Sequence, residues 1–269
     1  MHSPTGSTAN AGLGPATPRL HPPRALARSP RIGACTTVAL VATCLLGLTA
    51  RPAVAAPIPT RVQATQELVV LLSAHHAYRS PDVLSRQMTL VAVRRPITGA
   101  PTTLPVLSRF IGAHRMRWLL VMLPGRPNGS TGWIAQRDTS QLVTPWRIGV
   151  DLTARLVIVY RDGSIVREFR AVIGKPSTPT PTGVFFVEES VLMPIGQAGG
   201  PYALALSARS NVLQEFEGGP GQVAIHGSVK LDAPLGTAAS FGCIRLANAS
   251  VDWLSRRIGP GTPVTIYPT

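Results

Sequence analysis

Short apolar runs separated by turn residues dominate this sequence, and they predict a chain built mainly from β-strands. Its 269 residues include 25 glycines and 26 prolines without a Gly-X-Y period, which predicts many turns and excludes collagen. The strongest local signal is Asp162-Gly163 between two alternating runs, a pattern typical of a β-hairpin. Because hydrophobic residues make up 45% of the chain, it can bury a core and is not disordered as a whole.

Changes in composition divide the chain into five segments. They are a disordered basic arm (1–31), a signal peptide or membrane anchor (32–55), a linker or short helix (56–80), a small β domain (81–143) and a larger, mainly β domain (144–269). Within the larger domain, residues 251–258 have the spacing of one short helix, for which we expect Ser250 to be the N-cap.

The apolar segment near the N-terminus predicts export. Arginines precede the run at 32–50, and Ala53-Val54-Ala55 follows it as a small-residue cleavage site. The run is also long enough to span a bilayer, so a cleaved signal and an uncleaved anchor are both alternatives. Either one predicts a location in the cell envelope, with membrane contact only through an uncleaved signal.

The charge balance bears on partners. The formal net charge of +14 favours attraction to anionic wall polymers or lipid headgroups, although a merely soluble basic surface is an equal alternative. We expect no nucleic-acid partner. His75, His76 and His114 lack partners at metal-ligand spacing, and no phosphate-binding loop is visible, so we expect neither a metal nor a cofactor.

One cysteine lies outside the signal segment. Cys35 and Cys44 belong to the apolar run, so an exported domain keeps only Cys243, which cannot form an internal disulfide. A lone thiol in an oxidising compartment is either a small buried hydrophobic residue or a reactive group. Its sequence neighbours favour the second interpretation.

The residues around this thiol have the composition of an acyl-transfer site. His226-Gly227 ends an apolar strand, and Gly242-Cys243-Ile244-Arg245 follows after a loop. A thiol attacks carbonyls as thiolate, for which an imidazole serves as the base. We therefore expect Cys243 to be the nucleophile and His226 the general base. Backbone N–H groups at Gly242-Cys243 are candidates for an oxyanion hole. Arg245 either holds a substrate carboxylate or bonds to loop carbonyls.

Several motifs together resemble the L,D-transpeptidase catalytic domain, or YkuD domain, of the actinobacterial type. The matches are His226-Gly227, Leu235-Gly236, Ser240, Gly242-Cys243-Ile244-Arg245 and the Thr/Pro-rich segment at 174–185, in the family's order from Trp146 to the C-terminus. The segment at 123–134 also resembles the small domain that precedes some members. The resemblance implies a YkuD-like β-sandwich with a short helix, preceded by a small β domain.

The resemblance also implies a function in building the cell wall. The expected activity is that of a cysteine transpeptidase that acts on peptidoglycan stem peptides and forms 3→3 crosslinks through a thioester on Cys243. It further implies that the Gly227 carbonyl orients His226, that Ser240, Gly242 and Arg245 bind substrate, and that carbapenems are covalent inhibitors.

One residue departs from the family pattern. Phe241 occupies a position where the family usually has histidine, which predicts a less ionised thiol, because a phenyl ring supplies neither charge nor a hydrogen bond. The alternative is that Phe241 fills the core. Two other functions are carried as alternatives: a non-catalytic wall-binding protein that kept the fold, which Phe241 would support, and a sortase-like transpeptidase.

Overall fold

The computed structural model describes residues 58–194, 196–197, 199–216, 218–228 and 233–268. The predicted basic arm and the predicted signal or anchor lie outside these residues. Within the described part of the chain, no helix is both long and apolar enough to cross a bilayer. All the described residues belong to one compact unit.

Seven strands form the first sheet, in the order β3-β2-β6-β5-β4-β1-β7. They are β1 (Gln66–Leu71), β2 (His75–Tyr78), β3 (Gln87–Val91), β4 (Thr103–Ile111), β5 (Arg117–Met122), β6 (Thr131–Ala135) and β7 (Thr139–Thr144), with a 3-10 turn at Ala113–Arg115. Every strand pair given by the register is antiparallel, and the core is aliphatic, with Val69, Leu119 and Ile134 fully buried. We call this element the small sheet.

The prediction of a linker or short helix at 56–80 is wrong for two stretches of that segment. Gln66–Leu71 and His75–Tyr78 are strands, and β1 lies between β4 and β7. The apolar residues that suggested a helix face include β-branched valines, which suit a pleated surface packed on both edges. The small sheet therefore begins at Gln66, before the predicted boundary at 81, and ends at Thr144.

Eight strands form the second sheet, in the order β10-β9-β8-β17-β12-β13-β14-β16. They are β8 (Trp146–Asp151), β9 (Leu156–Arg161), β10 (Ser164–Arg170), β12 (Gly183–Leu192), β13 (Tyr202–Arg209), β14 (Gln222–His226), β16 (Ile244–Arg245) and β17 (Pro263–Tyr267). A parallel pair, β11 (Ile173–Gly174) and β15 (Ala238–Ser240), lies beside it. The predicted hairpin is confirmed, since Asp162 and Gly163 have φ angles of 50° and 79° and join β9 to β10.

Among the described residues there is one α-helix, α1, and it is displaced from its predicted position. It spans Asn248–Ser255, and Ala247 stands at its N-cap without a side-chain cap bond, so the predicted cap at Ser250 is wrong. Val251 and Leu254 are fully buried against the second sheet's core, which fixes the helix face. Leu246, also buried, lies between the end of β16 at Arg245 and the start of the helix. The prediction of a mainly β fold with one short helix, preceded by a small β domain, is confirmed.

Candidate active site

Strand periodicity places the predicted catalytic residues on one face of the second sheet. β14 and β16 run parallel, with Ile225 opposite Ile244 and His226 opposite Arg245. Both isoleucines are fully buried in the core. Because successive side chains in a strand point to opposite faces, His226 and Arg245 lie on the other face, and Cys243 directly precedes the same strand.

A cavity of about 860 Å3 opens on this face. Cys243, His226 and Arg245 all line it, so the structure brings together the predicted nucleophile, base and substrate-binding arginine. Much of the remaining wall is apolar, which is typical of a ligand site with few polar groups for orientation. Its apolar side chains include Ile97, Val191, Leu192, Met193, Leu213, Phe216 and Phe241.

The ring of His226 is oriented by the main chain. Its Nδ1 lies 2.5 Å from the carbonyl oxygen of Gly227. A carbonyl oxygen can only accept, so Nδ1 carries the hydrogen, and in the neutral ring Nε2 has the lone pair that accepts a proton. Gly227 has no room for a Cβ, which would overlap the Gly200 carbonyl and the Asn248 side chain. The predicted base is therefore held as the tautomer that a base requires.

Asn248, which the sequence did not single out, supports this turn. Its Oδ1 accepts a hydrogen bond from the Ser228 N–H at 2.9 Å. Since Asn248 is the first residue of α1, the helix and the loop after the histidine are tied together. The residue type alone gave no signal for this contact, because asparagine at a helix start usually serves as a cap.

Ser240 lies behind the thiol and does not face the cavity. It is fully buried, and its hydroxyl donates to the Cys243 carbonyl at 2.5 Å while accepting from the Gly242 N–H at 3.1 Å. A residue without exposed surface cannot contact a substrate, so the predicted substrate-binding role of Ser240 is corrected to one of holding the loop that carries the thiol.

The same contacts correct the role of Gly242. Its N–H is bonded to Ser240, so it is not available to an oxyanion. Its φ of +116° is a conformation that glycine adopts far more readily than other residues. Gly242 therefore serves the geometry of the turn. The prediction that it binds substrate is wrong.

Two threonines of the Thr/Pro-rich loop form hydrogen bonds to the turn that carries the thiol. The Thr180 hydroxyl donates to the Gly242 carbonyl at 2.9 Å, and the Thr178 hydroxyl donates to the Ser240 carbonyl at 3.2 Å. Both side chains are buried. The prolines in this loop indicated only an extended conformation, and nothing in the local pattern indicated that its threonines would reach the thiol turn.

Arg245 has its main chain fixed on both sides. Its N–H donates to the Val172 carbonyl at 2.8 Å, and its carbonyl accepts from the Val172 N–H at 2.9 Å. These bonds, together with the pairing to His226, hold the strand while the side chain lines the cavity. The substrate-binding role of Arg245 and its alternative, bonds to loop carbonyls, both stay predictions.

Phe241 is a surface residue of the cavity wall. Its side chain is 47% exposed, so the alternative that it fills the core is wrong. Its ring centroid lies 5.9 Å from that of Phe216, and Nζ of Lys175 stands 4.2 Å above it. A ring that cannot carry charge thus holds an ammonium group beside the thiol turn, a cation–π contact that the sequence did not predict.

Comparisons with known proteins point to one protein family. A family model described as the YkuD L,D-transpeptidase catalytic domain matches residues 145–266. A putative L,D-transpeptidase YkuD of Bacillus subtilis is 29% identical over 54% of this chain and 73% of its own length. Its Bacillus licheniformis counterpart is 32% identical over 46% of this chain and 67% of its own length.

Among solved structures, the catalytic domain of the Enterococcus faecium L,D-transpeptidase acylated by ertapenem is 27% identical. The match covers 45% of this chain and 95% of that one, with a TM-score of 0.34.

Proposed function

Because the chain belongs to the YkuD family of L,D-transpeptidase catalytic domains, we propose that it crosslinks peptidoglycan stem peptides through a thioester on Cys243. The observation that carries this proposal is the shared cavity of Cys243, His226 and Arg245, in which Gly227 fixes the tautomer of the histidine. Membership of the YkuD family excludes the sortase-like alternative. The actinobacterial type stays a prediction.

In the first half-reaction the donor stem is cleaved. His226 Nε2 takes the proton of the Cys243 thiol, and the sulfur attacks the carbonyl of the third stem residue. The bond from carbon to sulfur forms, and the bond from carbon to the nitrogen of the terminal D-alanine breaks. The proton on Nε2 passes to that nitrogen, so D-alanine leaves as a neutral amine and His226 returns to its starting state.

In the second half-reaction an amine of another stem attacks the thioester. His226 takes the proton of this amine, the new amide forms, and the sulfur leaves and regains a proton. The product is a 3→3 crosslink, whereas attack by water gives a shortened stem. The guanidinium of Arg245 binds a carboxylate of the donor, for which its planar pair of N–H donors is suited.

Two further expectations belong to the proposal. A carbapenem acylates Cys243, because its strained lactam carbonyl takes the place of the donor carbonyl. The segment at 32–55 exports the protein to the cell envelope, where its substrate lies, and a fusion of residues 1–57 to a reporter active only outside the cytoplasm tests this.

Incubation of the purified protein with disaccharide-tetrapeptide tests the function, with release of D-alanine and crosslinked dimers followed by mass spectrometry. We expect His226→Ala to slow release by about 10²- to 10⁴-fold, the usual contribution of a general base. The matched control is His76→Ala, because His76 is exposed in the small sheet. Wild-type protein that releases no D-alanine would contradict the proposal and favour a non-catalytic wall-binding protein.

A further inference from the structure

The wall of the catalytic cavity is not built by the second sheet alone. Ile97, which lies in the turn between β3 and β4 of the small sheet, also lines the cavity and is 57% exposed. Leu192, Phe216 and Phe241 are exposed cavity residues as well, so Ile97 extends an apolar rim. An exposed isoleucine at the rim of a catalytic cavity is available to a ligand.

The turn that carries Ile97 is anchored on both sides of that residue. Arg95 forms an ion pair with Glu188, and Thr98 donates to Oε2 of Glu189 from its N–H and its hydroxyl, both at 2.8 Å. The side chains of Glu188 and Glu189 are at most 1% exposed. A turn held by two buried carboxylates has a fixed position, so Ile97 is held at the rim.

A second contact from the small sheet holds another part of the cavity wall. We call residues 210–216 and 218–221, between β13 and β14, the cavity loop. Arg126, in the turn between β5 and β6, donates to three carbonyls of this loop, those of Pro220 at 2.8 Å, Ser210 at 2.7 Å and Leu213 at 3.1 Å. A guanidinium can bond to three carbonyls at once because it has five N–H donors in a rigid plane.

Asn128 pairs with the main chain at the start of this loop. Its Oδ1 accepts from the Arg209 N–H at 2.8 Å, and its Nδ2 donates to the Arg209 carbonyl at 2.7 Å. The side-chain amide thus bonds to both backbone groups of one residue, as a neighbouring strand would. The cavity loop carries Phe216, whose ring packs against Phe241 at the rim.

We propose that the small sheet completes the donor site of the enzyme: Ile97 contacts the aliphatic part of the donor stem directly, and Arg126 and Asn128 are positioning residues that hold Phe216 against Phe241. This inference rests on the proposed transpeptidase function. It assigns the small sheet a part in substrate selection.

The first test measures KM and kcat for D-alanine release from disaccharide-tetrapeptide with Ile97→Ser. Since Ile97 takes no part in the chemistry, KM should rise about 5- to 20-fold, as expected for loss of buried methylene contacts, while kcat stays constant. Leu84→Ser is the matched control, because Leu84 is 90% exposed in the turn between β2 and β3 and is not among the residues that line the cavity. An unchanged KM for Ile97→Ser would overturn the direct contact.

The second test is a double-mutant cycle between Arg126→Gln and Phe216→Ala. If Arg126 acts through Phe216, each single variant raises KM and the double variant is no worse than Phe216→Ala alone. Arg109→Gln is the control, since Arg109 bonds only within the small sheet, to Glu67 and Gln141, among the contacts that the structure describes. Additive effects of the two changes would overturn the positioning role.

These outcomes separate the inference from the function on which it rests. Wild-type protein without D-alanine release contradicts both. Wild-type release together with a normal KM for Ile97→Ser and for Arg126→Gln contradicts only the role of the small sheet. Should Arg126→Gln lower the melting temperature strongly, Ile97→Ser still decides the matter, because an exposed residue can be replaced without unfolding the chain.

Discussion

At the residue scale, Phe241 holds the ammonium group of Lys175 by a cation–π contact on the wall of the cavity that contains the thiol. The Lys175 ammonium lies 4.2 Å from the centroid of the Phe241 ring. A positive charge near a thiol favours the thiolate, and the phenyl ring itself gives the thiol no hydrogen bond. Lys175 therefore adds a positive charge next to Phe241, in addition to the Arg245 guanidinium that lines the same cavity as the thiol.

Replacement of Phe241 by histidine tests this arrangement. We expect Phe241→His to move the pH midpoint of thiol alkylation downward by about one unit or less. The added imidazole favours the thiolate, but the shift stays small because the neighbouring Lys175 ammonium opposes protonation of that imidazole. Stopped-flow alkylation between pH 5 and 10 measures the midpoint. Phe216→His is the control and should leave the midpoint in place. An unchanged midpoint together with a lower melting temperature in Phe241→His would mean that the ring acts only in packing.

Replacement of Arg245 by lysine tests whether the planar guanidinium recognises the donor stem. Arg245→Lys keeps the charge but loses the paired N–H donors, so KM for the donor stem should rise about tenfold, the value of one hydrogen bond to a charged group. Steady-state release of D-alanine gives KM, and thermal unfolding shows whether the fold is intact. A folded variant with normal KM would mean that Arg245 does not bind the donor.

At the element scale, β9 ties the start of the described chain to the second sheet. The Tyr160 hydroxyl donates to the Pro59 carbonyl at 2.8 Å, and burial raises the pKa of Tyr160 to about 12. In the unfolded chain tyrosine ionises near pH 10, so between about pH 10 and 12 ionisation favours the unfolded state. The stability that neutral, buried Tyr160 gives the folded protein is present in full below pH 10 and is lost as the pH rises through 12.

Tyr160→Phe separates the hydrogen bond from the ionisation. At pH 7 we expect a loss of about 0.5 to 1.5 kcal/mol in the free energy of unfolding, from the missing bond. From pH 10 to 11.5 the variant should lose less stability than the wild type. Urea unfolding at each pH measures both quantities. If the free energies of unfolding of the two proteins fall in parallel as the pH rises, the proposed effect of Tyr160 is contradicted. The loss of stability at alkaline pH would then come from other groups, such as Tyr267, whose pKa is also raised by burial.

Local signals in the sequence predicted some elements well and others poorly. The Asp162-Gly163 turn could be predicted because both residues favour positive φ, and the residues around Cys243 because the motif itself carries the chemistry. The strands at Gln66–Leu71 and His75–Tyr78 could not be predicted, because their burial depends on distant partners in β4, β6 and β7. The hydrogen bonds by which Thr178 and Thr180 support the thiol turn likewise could not be predicted, because their partners lie more than sixty residues away in the chain.

At the scale of the whole molecule, a buried charge network joins the two sheets. Glu188 accepts from Arg209 of its own sheet at 3.0 Å and pairs with Arg95 of the small sheet. The Glu188 side chain has no exposed surface, so both of its carboxylate oxygens depend on these arginines. Sequence reasoning could not predict the network, because nothing in the local pattern of β12 indicates that two successive glutamates are buried.

Glu188→Gln tests how far this network supports the fold. The change leaves the buried guanidinium of Arg209 without its carboxylate and leaves Arg95 with Glu189 at 3.9 Å, which should lower the free energy of unfolding by about 3 to 5 kcal/mol. Urea unfolding measures the loss. Glu168→Gln is the control, because Glu168 is exposed on β10. A loss below about 1 kcal/mol, the range typical of surface ion pairs, would show that the network does not hold the sheets together.

Formation of an acyl-enzyme on Cys243 can be tested by mass spectrometry of the intact protein after incubation with a carbapenem. We expect the wild-type protein to gain the mass of one carbapenem, Cys243→Ala to gain none, and His226→Ala to gain it more slowly. The same adduct on Cys243→Ala, or an unmodified wild-type protein whose fold is intact, would contradict the account.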